Sequence, residues 1–113
     1  YNKQCKKEAR NMQNDVLKLK LLKYVEEKGE ISFVQALIRD DVEETFKFYF
    51  EDSYSCERNA EAVSKLENTD QLIDWCYDKE KEDEPKPMMT TLMIYRNYLD
   101  LVLEEVKRYA ERF

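Results

Sequence analysis

The chain has 113 residues, 42% of them apolar, 39% charged, and a formal net charge of −6. That is enough chain to bury one core, and too many apolar residues for disorder through most of its length. One glycine, two prolines and no histidine argue against a multi-stranded sheet, whose tight turns need positive φ, and remove every His-based nucleophile and metal arrangement.

The charge is unevenly distributed. Residues 1–28 carry eight Lys/Arg against four Asp/Glu, and residues 29–113 carry eleven against twenty-one. The plain reading is a basic first helix lying against acidic helices of the same domain, and the sharper one is a basic arm for an acidic partner. A first helix is expected over about 6–28. Cys5, Ala9, Met12, Val16 and Leu19 recur at helical spacing, and Leu17, Leu21 and Tyr24 widen the apolar face. Lys18, Lys20 and Lys23 give this helix a basic face. Gly29 follows as a C′ residue in the left-handed region. Ser32 with Gln35 then reads as a capping box, with Ile31 as its hydrophobic staple.

The second helix is expected over 33–50, with Val34, Ile38, Val42, Thr45, Phe46 and Tyr49 on one face. Thr-Phe-Lys-Phe-Tyr-Phe at 45–50 has strand propensity, but a lone strand would find no partner in this chain. Phe46, Phe48, Tyr49, Phe50 and Tyr54 crowd one segment. Successive helical positions differ by roughly 100°, so some of these rings should face outward. With Lys18, Lys20 and Lys23, these five aromatics are the expected partner-binding residues, because exposed aromatics mark interfaces. The alternative is that a flat bundle buries most of them.

The third region, 56–81, reads either as one kinked helix or as two helices broken near 67–69. Ala60 and Val63 should point inward, and Asn68 with Gln71 forms a second capping box. Trp75 is expected in the core or as a lid over it. Residues 78–87, Asp-Lys-Glu-Lys-Glu-Asp-Glu-Pro-Lys-Pro, form an acidic linker, since Pro85 and Pro87 forbid helix continuation. A last helix over 88–112 carries an a/d stripe of Met88, Leu92, Tyr95, Leu99, Val102, Val106, Tyr109 and Phe113. Ile94, Tyr98 and Leu101 broaden it beyond a two-stranded seam, so the stripe reads as a central bundle helix rather than a homo-oligomeric coiled coil.

The fold expected is therefore all-α: one domain over 1–113, a compact bundle of four long helices, or five if the third region splits. No catalytic, cofactor or metal signature is present. A single glycine excludes phosphate-binding loops. Three separated cysteines cannot close a four-cysteine zinc site, and no glycine-containing calcium loop exists. The acidic clusters at 40–44, 51–52 and 80–84 read as solvated faces. A sequence pI of about 4.8 makes nucleic acid an improbable partner, and no apolar run spans a membrane. A start at Tyr1 suggests a processed chain or an excised domain. Cys5, Cys56 and Cys76 are an odd set without a CxxC pair and point to reduced thiols in an intracellular protein. The function that follows is a non-enzymatic protein–protein interaction module. The alternative is a secreted helical effector or cytokine-like ligand with one disulfide, Cys56–Cys76 or Cys5–Cys56.

Overall fold

The computed structural model describes the backbone of residues 2–113 and the side chains from residue 15 onward. Among these residues there is no strand; six α-helices follow one another. They are α1 (Asn2–Lys28), α2 (Ile31–Phe50), α3 (Cys56–Ser64), α4 (Thr69–Glu80), α5 (Pro87–Ile94) and α6 (Leu99–Ala110), with a 3-10 turn at Arg96–Tyr98 before α6. The chain divides into two compact units, one ending at Val34 and the other Gln35–Phe113.

In the first unit, the stop of α1 is a Schellman motif. Gly29 adopts φ +72°, the Gly29 amide donates to the Glu26 carbonyl at 3.2 Å, and the Glu30 amide donates to the Val25 carbonyl at 3.2 Å. Glycine takes this left-handed position without a Cβ penalty. The second helix then begins at Ile31, two residues before the expected start, so Ser32 lies inside it and is no N-cap. Ile31 and Phe33 are exposed and form no buried staple. The expected inward face of α1 is also corrected. Leu22 and Val25 are its buried residues, whereas Val16, Leu17, Leu19, Leu21 and Tyr24 are exposed. The two expected apolar lines flank the buried face instead of forming it. A helix apolar on three sides cannot bury all of them within a unit holding one helix and the first turn of the next. Cys5, Ala9 and Met12 lie outside the residues whose side chains are described.

The second unit is organised around the C-terminal part of α2. Ile38, Val42, Phe46 and Phe50 repeat every four residues and are all buried, while Phe48 is exposed; a helix produces this pattern, whereas a strand would put Phe48 on the same face as Phe46 and Phe50. The strand-like 45–50 segment is thus helical, with Phe46 and Phe50 turned inward and Phe48 outward. Phe50 sits at the centre of an aromatic cluster, stacked on Trp75 at 6.1 Å and on Phe113 at 6.0 Å, and edge-on to Tyr109 at 5.4 Å.

The 56–81 region is two helices. Asn68 caps α4 by accepting from the Gln71 amide at 2.9 Å, and Gln71 Oε1 reaches back to the Glu67 amide at 2.8 Å. Ala60 and Val63 are buried as expected. They place α3 against α6, which also packs on α4.

The long last helix is not continuous. It breaks at Tyr95 (φ −103°, ψ 31°), and the Tyr98 amide donates to the Tyr95 carbonyl at 2.7 Å in the 3-10 turn. No Pro or Gly lies there. Tyr95 is buried, and its hydroxyl donates to the buried Asp41 carboxylate on α2. Beside it, Thr91 Oγ1 lies 2.9 Å from Thr45 Oγ1. These tertiary contacts fix α5 against α2, and the turn lets α6 set off afresh. Of the expected stripe, Met88, Leu92, Tyr95, Val102, Val106 and Tyr109 are buried in this unit, Leu99 is half-buried and Phe113 is exposed. Its buried members belong to the core of this unit. Among the described residues, two long helices, α1 and α2, and four of 8–12 residues take the place of the four or five long helices expected. No helix of the described residues is long and apolar enough to cross a membrane.

Candidate functional site

The 78–87 segment shapes the most distinctive surface of the second unit. It is not a loose linker but a turn clamped at both ends. Glu80, in the last turn of α4, is 1% exposed. Its carboxylate accepts the Met88 and Met89 amides, each at 2.8 Å, and so caps the N-terminus of α5 from eight and nine residues away. Lys86 does the reverse. Its ammonium donates to the carbonyls of Glu80 and Asp83 at 2.6 Å and of Lys81 at 3.2 Å. A carboxylate thus meets the positive end of one helix dipole and an ammonium the negative end of the other. Pro87 at the first helical position lacks only an amide that would have had no intrahelical acceptor. Burial pushes the Glu80 carboxyl above its ordinary value of 4.5, against the lowering effect of the two amide bonds.

The clamped turn faces the outer side of α2. The Tyr49 hydroxyl donates to the Asp83 carboxylate and lies 2.9 Å from the Lys79 carbonyl. Burial, reinforced by Asp83, pushes the Tyr49 phenol well above its ordinary range. Phe48 meets Tyr49 edge-on at 4.9 Å yet remains 58% exposed. Between the rings and the turn lies an open cleft of about 460 Å³, with Phe48, Tyr49 and Pro85 as apolar walls and Glu82, Asp83 and Glu84 along the rim. On the far side of α2, Asn59 donates to the Tyr49 carbonyl at 2.9 Å and holds the helix end on α3.

The expected partner-binding residues separate into four groups. Phe46 and Phe50 are fully buried and are corrected to core residues. Their i, i+4 spacing places both on the inner face of α2. Phe48 and Tyr49 are brought together at the cleft. Tyr54 is fully exposed on the loop after α2 and does not line the cleft. In the first unit, Lys20 and Lys23 are exposed and Lys18 is half-buried.

The acidic clusters are not uniformly solvated. Asp41 and Glu80 of these clusters are buried, and so is Glu105 on α6. Glu105 is held by Gln35 at 3.1 Å, by Arg39 at 3.4 Å and by Arg108. Partners for these carboxylates lie 54, 8 and up to 70 residues away, beyond the reach of local pattern. Each nevertheless sits four residues or one turn from a buried apolar position, which is the signal that could have revealed them. Among the described residues, no group of three or more Cys, Asp or Glu is placed to hold a metal ion. Cys76 is buried and Cys56 half-buried, and both are free thiols, so the Cys56–Cys76 bridge is not formed. Cys5 lies outside the described side chains. Comparison with known proteins finds no matching family model, no matching curated sequence and no matching solved structure.

Proposed function

We propose that this chain is a non-enzymatic protein–protein interaction module that engages its partner on the Phe48 cleft. The observation that carries this reading is the open cleft of about 460 Å³ that the exposed Phe48 ring walls beside a rigid turn. An apolar side chain outside the core gains nothing for folding, whereas at an interface it supplies an anchor. Tyr54, fully exposed on the neighbouring loop, extends the contact surface. Lys20 and Lys23 offer a separate basic face on α1.

The fate of the carboxylates supports a non-enzymatic reading. Glu80 and Glu105 are bound by structural donors, and histidine is absent from the sequence. Cys56 and Cys76 are free thiols, which suits a protein of a reducing, intracellular compartment. The apolar stripe of 88–109 lies inside the second unit, which supports a monomer.

Affinity capture from the native source with the wild type and with Phe48→Arg tests the reading, after matching circular dichroism spectra show that both are folded. The wild type should retain proteins that Phe48→Arg and Tyr54→Ala lose. Identical sets of captured proteins would refute it.

A further inference from the structure

We infer that the Phe48 cleft binds a partner segment bearing arginine or lysine, an assignment that rests on the interaction reading above. Three features of the cleft converge on a cationic occupant. Its apolar part is aromatic, with the exposed Phe48 ring and the edge of Tyr49 available beside Pro85. Its polar part is acidic: Glu82, Asp83 and Glu84 are consecutive on the rim. Its volume of about 460 Å³ falls within the range of ligand pockets, roughly 300–1,000 Å³, and holds two or three side chains rather than an ion.

An aromatic face next to carboxylates is the surroundings that a guanidinium satisfies with both of its properties. The planar cation stacks on the ring, and its donors reach the carboxylates. An anionic segment would meet three carboxylates in a row. A purely apolar one would desolvate them without a partner.

The nearest cation does not fill this role. Lys86 spends its donors on three carbonyls of the turn and approaches Glu84 only at 3.9 Å. Its ammonium holds the loop from within. Nor do the rim carboxylates wander with a flexible loop. The Glu80 cap and the Lys86 clamp fix the turn at both ends, and the Tyr49 hydroxyl holds Asp83. Glu82 and Glu84 are exposed on either side of it. A partner finds the site already formed, so little ordering entropy opposes binding. Two arginines separated by one residue in an extended segment would set one guanidinium on Phe48 and the other between Glu82 and Glu84.

A fluorescein-labelled Gly-Arg-Ser-Arg-Gly peptide is the probe, with Gln-for-Arg and Glu-for-Arg versions as controls, titrated at about 150 mM salt to screen diffuse attraction. The arginine peptide should bind at least tenfold tighter than the glutamine version. It should shift the amide signals of Thr45–Tyr49 and Glu82–Glu84 in ¹H–¹⁵N spectra. Phe48→Ala should weaken it about fivefold, the weight of one exposed cation–π contact, with an unchanged melting curve. The pair Glu82→Gln with Glu84→Gln should weaken it tenfold or more. The pair Glu57→Gln with Glu61→Gln removes equal charge from exposed α3 positions and should leave it unchanged.

Equal loss in the two double variants, amide shifts elsewhere, or equal binding of the glutamine peptide would overturn the inference. If the arginine peptide fails while Phe48→Arg still strips captured partners, only the partner chemistry falls. If Phe48→Arg strips nothing, the interaction reading falls with it.

Discussion

Replacing Glu80 tests how the clamped turn is held. In Glu80→Ala the amides of Met88 and Met89 lose their acceptor. Both bonds are 2.8 Å long, and the Met88 amide is buried. An unsatisfied buried donor costs about 1–3 kcal/mol, and here two amides lose their acceptor at once. Together these amount to roughly 3–5 kcal/mol. Set against a total stability of about 5–15 kcal/mol, that is a large fraction of the whole. At ~4 °C per kcal/mol for a chain of this size, the melting temperature should fall by about 12–20 °C. Glu80→Gln keeps one acceptor oxygen and should fall between Glu80→Ala and the wild type.

The pH dependence has a definite sign. Burial sets the folded value of Glu80 above 4.5, so the protonated form is favoured by folding. The associated stability is complete below pH 4.5 and is lost as the pH rises through the folded value. Gln cannot ionise and lacks this slope. The stability advantage of the wild type over Glu80→Gln should therefore shrink as the pH rises above 4.5. Urea denaturation at a series of pH values measures both effects. A Glu80→Ala variant within 1 kcal/mol of the wild type, with 1 kcal/mol taken as the low end of about 1–3 for a single lost buried bond, would refute the reciprocal-capping argument.

Other expectations follow from the same contacts. Phe50→Ala should cost about 3–5 kcal/mol, because it empties the centre of the aromatic cluster, while the exposed Phe48→Ala should cost less than about 1 kcal/mol; chemical denaturation compares the two. Tyr109 is pushed up to about 12 by burial and by its bond to Glu51 at 2.9 Å. Its stabilising contribution should be complete below pH 10 and lost toward pH 12, a slope absent from Tyr109→Phe in alkaline unfolding curves. In the native state iodoacetamide should alkylate the half-buried Cys56 well before Cys76, whose thiol burial pushes far above its ordinary range. Peptide mass mapping reads the order, and equal rates would contradict the buried placement.

Sequence revealed what is local and periodic. The Gly29 stop, the Asn68–Gln71 cap, the inward Ala60 and Val63 and the burial of the 88–109 stripe are each set by neighbours within a turn or two. The helix over 45–50 is of the same kind, because only a helix puts Phe46 and Phe50 together while sending Phe48 out. The break at Tyr95 was not legible. A hydrophobic stripe reports which residues are buried, and a 3-10 turn can pass the same stripe from one helix to the next. The break depends on Tyr95 reaching Asp41, 54 residues earlier.

The cleft was half legible. Its aromatic wall stood out in the crowding of rings at 46–54, although Phe46 and Phe50 proved to be core. The acidic wall read only as a linker between helices, ended by Pro85 and Pro87. Its order comes from Glu80 and Lys86 bonding to backbone groups, and backbone groups have no signature in sequence. The burial of Leu22 and Val25 in place of the expected α1 lines has a similar origin, since several apolar faces were available and pattern alone does not choose among them.

A photo-crosslinking side chain at position 48 is the most direct test of the central claim that the Phe48 cleft is the surface on which a partner binds. Benzoylphenylalanine keeps the aromatic ring of Phe48 and adds a benzoyl group for which the 58% exposed position leaves room, and Glu57, exposed on α3, provides the control position. On irradiation in the native source, position 48 should give a discrete adduct that diminishes when Glu82 and Glu84 are changed to Gln, and position 57 should give none. No adduct at 48, or the same adducts from both positions, would contradict the account.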